Sequence, residues 1–222
     1  MARALVVQHT AHEGLGNLLE WLPAAGLDVH PIHPYLGHRV PPSVEGDALI
    51  VLGGPMGAYD DADAPWLPAT RALLSTAIDD GVPTLGICLG AQLLAVAAGG
   101  EVEKGDAGPE LGLGSVDVPF GDELLSAGSM PVVQWHYDTV TRMPAGAQLL
   151  ASSDAYRVQA FRVGDVAWGL QFHVEATEQM VRDWAAADGV GGAVVEPVRL
   201  QESALKAAGE ALAARFSAIV TG

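Results

Sequence analysis

Val82-Pro83-Thr84-Leu85-Gly86-Ile87-Cys88-Leu89-Gly90-Ala91-Gln92 contains the only cysteine of the chain. An apolar run of strand length ends at Cys88 and a helix-like run starts there, with Gly86 and Gly90 on either side. The pattern G-x-C-x-G describes a nucleophile elbow. In this sharp strand-to-helix turn the backbone of the reactive residue is strained and helix and strand approach closely, so the neighbours must be small. A thiol at such a helix N-terminus feels the positive end of the dipole, which favours the thiolate. A lone cysteine is more often a buried structural residue. The glycine frame, joined to a His-x-Glu downstream, reads Cys88 as a nucleophile.

Outward from this turn, strand-length apolar runs alternate with helix-like segments. Residues 4–8, 27–32, 48–52 and 82–87 read as strands, and 15–25, 65–80 and 91–98 as helices. Pro65 sits near a helix start, Leu67, Leu74 and Ile78 share a face, and Gly81 and Gly99-Gly100 stop their helices. This rhythm predicts an α/β fold with a mostly parallel sheet flanked by helices. After residue 101 the pattern changes to short strands at 115–118, 147–151, 156–163 and 166–174. The last two flank Gly164-Asp165, a two-residue hairpin signal, so antiparallel strands are added in the second half. Residues 176–187 and 201–220 return to helical spacing, the latter with an apolar stripe of Leu205, Ala208, Leu212, Phe216 and Ile219. Residues 33–47 and 104–114 read as loops. With no repeat or linker, residues 1–222 are expected to form a single domain.

Composition narrows the function. Half of the residues are hydrophobic and 17% charged, enough apolar material for a full core. No apolar stretch approaches about 18 residues, so no membrane-spanning helix is expected, and the run at 1–10 reads as a first strand and not as a signal peptide. A single cysteine forms no internal disulfide, which fits a reducing cytoplasm. The net charge of −16 repels phosphate backbones, and the basic residues form no stripe, so nucleic acid is not an expected partner.

Two histidines are candidate bases. His173 and Glu175 follow an apolar run. On a strand, residues i and i+2 face the same way, roughly 6.6–7 Å apart, so Glu175 can orient His173. His136 and Asp138 have the same spacing, and spacing alone does not choose between the pairs. Gly53-Gly54-Pro55-Met56-Gly57 follows a buried run and leaves backbone amides free for an oxyanion, with Leu89 as the second donor. No Gly-Lys-Ser/Thr follows, so it is not a phosphate loop. His9 and His12 have helical spacing without a third ligand, so no metal is expected. His30, His33 and His38 read as solvated, Asp60, Asp61 and Asp63 as an exposed loop, and Trp66, Trp168 and Trp184 as core or edge residues.

Gly53-Gly54-Pro55, Gly86–Gln92, Trp135-His136-Tyr137-Asp138 and Gln171-Phe172-His173-Val174-Glu175 together resemble the class I, triad-type glutamine amidotransferases. The closer resemblance is to stand-alone proteins similar to the glutaminase domain of GMP synthase, with Leu150–Ser153 and Gln159–Arg162 fitting that subgroup. The resemblance spans about residues 45–178. It implies a flavodoxin-like fold, with Cys88 as nucleophile, His173 as general base and acid, and Glu175 as the orienting carboxylate, which selects His173 over His136. It implies oxyanion donors at the amides of Gly54 and Leu89, and substrate contacts from Gly53, Gln92 and the segment His136, Tyr137, Asp138. It implies no cofactor. The implied substrate is glutamine or a related γ-glutamyl compound, cleaved through a cysteine thioester. Any acceptor chemistry would lie on a separate synthetase or acceptor protein. The alternative is a γ-glutamyl peptide or amine hydrolase or transferase acting alone, and the more distant one is a non-catalytic binding protein on the same fold. Two departures from the family concern the pocket: Tyr137 replaces a small residue, and Gly57 a common serine.

Overall fold

The computed structural model describes residues 1–222. Its first half runs β1 (Ala2–Val7), α1 (Leu18–Ala24), β2 (Leu27–Ile32), β3 (Ala48–Val51), α2 (Leu67–Asp79), β4 (Thr84–Ile87) and α3 (Leu89–Ala97). Its second half runs β5 (Glu101–Lys104), β6 (Glu110–Val118), β7 (Gly128–His136), β8 (Asp138–Arg142), β9 (Gln148–Ala151), β10 (Ala160–Val163), β11 (Ala167–Leu170), α4 (Glu178–Ala187), α5 (Val195–Leu200) and α6 (Glu202–Thr221).

Seven strands form one sheet in the order β2-β1-β3-β4-β11-β10-β9. The first five run parallel, whereas β10 and β9 are antiparallel to their neighbours. The continuous apolar runs of the central strands follow from burial on both faces. On β1, Ala4 and Val6 pack with Leu18, Leu22, Leu212 and Phe216 of α1 and α6. Leu5 and Val7 face the opposite side with Leu67, Leu73, Leu93 and Leu94 of α2 and α3. Two small sheets, β5 with β8 and β6 with β7, lie outside the main one. A third apolar cluster joins Val133 of β7 to Val181, Trp184 and Val198 of α4 and α5.

The mostly parallel sheet with antiparallel additions is therefore observed, and several boundaries need correction. The expected loop at 104–114 contains the start of β6, which pairs with β7 without interruption from Glu110↔His136 to Val118↔Gly128. Strands β5, β7 and β8 and helix α5 carry no expectation from the sequence. The strand expected over 156–163 begins only at Ala160, and that expected over 166–174 ends at Leu170. The β10–β11 turn has three residues, since Val163 pairs with Ala167. Helix α1 starts three residues late: Gly16 has φ +49, and a Cβ there would collide with the carbonyl oxygen of Glu175. The amide of Asn17 donates to that same oxygen at 2.9 Å, so the start of α1 is moulded around the backbone of Glu175.

Candidate active site

Because β1, β3, β4 and β11 are parallel, their carboxyl ends open on one rim. The segments that follow them carry His9–Glu13, Gly53-Gly54, Cys88 and Gln171–Glu175. Open α/β sheets bind ligands at this rim, where neighbouring crossovers leave in opposite directions. A cavity of about 690 Å³ opens here, with Gly54, Cys88, Gln92, His136 and His173 among its lining residues.

Cys88 is the only non-glycine residue with positive φ (52°) and lies between the end of β4 and the start of α3. The glycine frame is required by close approach. A Cβ on Gly86 would meet the Gly90 carbonyl at 2.5–2.6 Å, and one on Gly90 would run into the Val51 carbonyl. Cys88 is 6% exposed. Its sulfur lies 3.7 Å from the Trp135 carbonyl oxygen and 3.8 Å from Nε2 of Gln171.

His173 and Glu175 are not on a regular strand. His173 lies beyond β11, where its amide donates to the Val133 carbonyl at 2.8 Å, and β7 thereby fixes its backbone. The expected pairing nevertheless forms: Nδ1 of His173 is 2.6 Å from Oε1 of Glu175, with both side chains almost wholly buried. Nε2 of His173 has no hydrogen-bond partner. Burial opposes a charged ring, but the Glu175 carboxylate and Cys88 outweigh it and hold His173 well above its ordinary value. Trp184 of α4 packs on the ring with centroids 4.7 Å apart.

The rival His136 also lines the cavity, yet both its nitrogens are engaged. Nδ1–H donates to the Asp138 carbonyl at 3.0 Å, and Nε2 lies 3.0 Å from Oε2 of Glu110. Burial pushes Glu110 up, but hydrogen bonds from His136, Ser153 and Gln159 prevail and hold it below the usual carboxylate range. His136 is thus tied into a buried network with no nitrogen left for a reacting group.

The two residues expected to supply the oxyanion donors are neighbours. A Cβ on Gly54 would lie 2.9 Å from Cδ2 of Leu89. The Gly54 amide has no backbone acceptor, and that of Leu89 is a first-turn donor of α3. Among the expected substrate contacts, Gln92, His136, Tyr137 and Asp138 line the cavity, whereas Gly53 does not. A Cβ on Gly53 would press on Glu13 and the His173 ring. Nε2 of Gln92 already donates to the Asp138 carbonyl and to Oε1 of Gln171, at 3.1 and 3.2 Å, which leaves only its carbonyl oxygen to a ligand. At the departure at Gly57 the backbone amide donates to Asp60 Oδ2 at 2.7 Å. Tyr137 donates its hydroxyl to Asp188 at 3.0 Å and helps to form the cavity mouth.

His9 and His12 differ in surroundings, His12 being exposed at the cavity. His9 is buried, accepts a hydrogen bond on Nδ1 from Trp66 at 2.9 Å, and is lowered to about 4 by desolvation. No group of three or more metal-ligating side chains occurs. Sequence reasoning missed Glu13, whose signal was only a glycine-bearing turn after β1, and the exposed acids Asp183 on α4 and Asp188 just past its end. It read Trp184 as a core or edge residue; the residue also lines the cavity. Glu13 is pushed up to about 7, first by burial and then by Glu175 and Asp188, against a lowering effect of His173.

Fold and rim place this chain among α/β proteins that present a cysteine, a histidine and a carboxylate at the carboxyl ends of parallel strands. It belongs to the class-I glutamine amidotransferase family, whose model matches residues 24–183. The glutamine-hydrolyzing GMP synthase subunit of Sulfolobus acidocaldarius is 38% identical over 59% of this chain and 68% of its own length. Gamma-glutamyl peptidase 4 of Arabidopsis thaliana is 30% identical over 62% of this chain and 57% of its own length; the chain thus spans little more than half of that relative. Glutamine amidotransferase structures from Methylobacillus flagellatus and Thermotoga maritima superpose with TM-scores of 0.86 and 0.86. Their identities are 26% and 28%, and they cover 96% and 97% of this chain and 93% and 97% of theirs. No helix is long and apolar enough to cross a membrane.

Proposed function

We propose that this protein cleaves the side-chain amide of glutamine, or of a related γ-glutamyl compound, through a thioester on Cys88. The observation that carries the reading is the division of labour on His173. Glu175 holds one nitrogen, while the other is buried without a partner in the cavity that contains Cys88. The Cys88 thiolate attacks the amide carbon, and the amides of Gly54 and Leu89 face the developing oxyanion. The C–N bond breaks as His173 gives its proton to the departing ammonia or amine. Water, deprotonated by the now neutral His173, then attacks the thioester; the C–S bond breaks, glutamate leaves and the Cys88 thiolate is restored beside a protonated His173. Glu175 keeps the ring oriented and stabilises its charged form. Residues 1–222 act as one catalytic unit in this reading, and neither metal nor organic cofactor enters a step.

Two versions share this chemistry. The resemblance to a GMP synthase subunit supports ammonia supply to a separate synthetase. The likeness to a γ-glutamyl peptidase supports hydrolysis by this chain alone. The cavity, about 690 Å³, falls within the roughly 300–1,000 Å³ of small-molecule sites, which suits either version. The test is a glutamine-analogue chloromethyl ketone followed by peptide mass mapping. Labelling at Cys88 that glutamine competes away is expected; labelling elsewhere, or none in folded protein, removes the assignment.

A further inference from the structure

Four carboxyl side chains line the cavity, and no lysine or arginine does. Glu13, Asp138, Asp183 and Asp188 are the four carboxylates. Asp188 is pinned, since Trp135 Nε1–H and the Tyr137 hydroxyl both donate to its Oδ2 at 3.0 Å. Helix α4 ends at this wall: Ala186, Ala187 and Asp188 line the cavity, and its last turn holds no basic residue to offset the negative end of the dipole. Trp135, Tyr137 and Trp184 add aromatic surface, which attracts cations. Independently, the unpartnered Nε2 of His173, on a side chain 1% exposed, marks where a departing nitrogen must collect its proton. A leaving group attached to that nitrogen extends into the remaining space of the same cavity.

We propose that the wall formed by Asp183, Asp188, Trp184 and Tyr137 is a leaving-group subsite for an amine that carries a second positive charge, so that the favoured substrate is a γ-glutamyl amide of a diamine or polyamine. The inference rests on the amide-cleaving reading of Cys88 and adds the class of amine released. Burial and neighbouring acids keep the Glu13 carboxyl hard to ionise, and a cation in the cavity relieves part of that repulsion. The reaction balances as before: the amide C–N bond breaks, His173 protonates the departing nitrogen, and the distal ammonium leaves unchanged.

The test compares γ-glutamyl diaminobutane with γ-glutamyl pentylamine, in which a methyl replaces the distal ammonium, by released glutamate. Wild type is expected to favour the cationic substrate in kcat/KM by about ten- to a hundredfold. That ratio should fall toward one in D183N/D188N and with added salt, which screens the exposed carboxylates. A wild-type ratio of one or less overturns the subsite and leaves the thioester reading intact. Absence of turnover on both compounds, and on glutamine, overturns both. Should the double variant misfold by circular dichroism, the salt series on wild type decides: a ratio indifferent to salt overturns the subsite.

Discussion

His173 and His136 line one cavity, both are buried, and each has a glutamate against its ring, yet they are opposite in what they can do. Glu175 takes one nitrogen of His173 and leaves the other vacant near Cys88. Glu110 and the Asp138 carbonyl take both nitrogens of His136. Proton transfer requires a ring nitrogen with no permanent partner, which His173 has and His136 lacks. The surroundings agree. Glu175 has one oxygen without a partner, whereas Glu110 is saturated by His136, Gln159 and Ser153 and fastens the β6–β7 ladder to the loop before β10. A His–Glu pair is therefore not in itself a catalytic signature; the free valence is.

The largest effect should separate the two histidines. Cys88→Ala and His173→Ala are each expected to lower kcat on the order of 10⁶-fold, because the members of such a unit fail together. His136→Gln should lower kcat/KM mainly through KM. Steady-state kinetics on folded variants decides, and a loss of kcat beyond about 10⁴ for His136→Gln would reverse the two roles. The next effect concerns the partner glutamate. Glu175→Gln keeps the shape of the pair but allows the wrong tautomer, and kcat should fall about 10⁴-fold with little change in KM.

Parts of the fold and of the site were readable in the residues. The elbow could be read because its demands are local: a strained residue between two glycines at a strand-to-helix junction leaves a sequence mark. The central strands were readable because burial on both faces makes them continuously apolar, as in Leu49-Ile50-Val51. Strands β5, β7 and β8 and the first half of β6 were not. Glu101–Lys104 has one buried residue in four, and β6 carries two glycines and alternates imperfectly. Such strands owe their existence to a partner far along the chain, Glu110 to His136 in one case, and no local pattern announces that. The choice between His173 and His136 was unreadable from spacing for the same reason. It turns on Glu110, a residue 26 positions from His136, which the ladder brings to the ring.

A third carboxyl sharpens the comparison from the His173 side. Glu13 lies near His173, Glu175 and Asp188 and is pushed from 4.5 to about 7, mainly by burial. An acid whose folded value exceeds its unfolded one binds more protons when folded, so stability falls as pH rises between those two values. At about 1.4 kcal/mol per pH unit the cost reaches about 3 kcal/mol above pH 7 and vanishes below 4.5. Glu13→Gln should therefore stabilise the protein at pH 8 by up to about 3 kcal/mol and leave it unchanged at pH 4. Denaturant melts at the two pH values measure this, and equal effects at both would show that Glu13 does not titrate in this range.

The smallest effect belongs to the structural pair. Glu110 is held below its ordinary 4.5 by hydrogen bonds that outweigh its burial. A carboxyl with a depressed folded value stabilises above its unfolded value, and that contribution is lost as pH falls through the folded one. Glu110→Gln should cost about 1–3 kcal/mol at pH 7, the range for stranding buried donors such as His136 Nε2, and the difference from wild type should shrink below pH 4.5. Because His136 supports the Tyr137–Asp138 segment, KM should rise while kcat stays within a few-fold of wild type. If kcat fell as steeply as in Glu175→Gln, the Glu110 network would be part of proton transfer, and a saturated histidine would have to open during turnover.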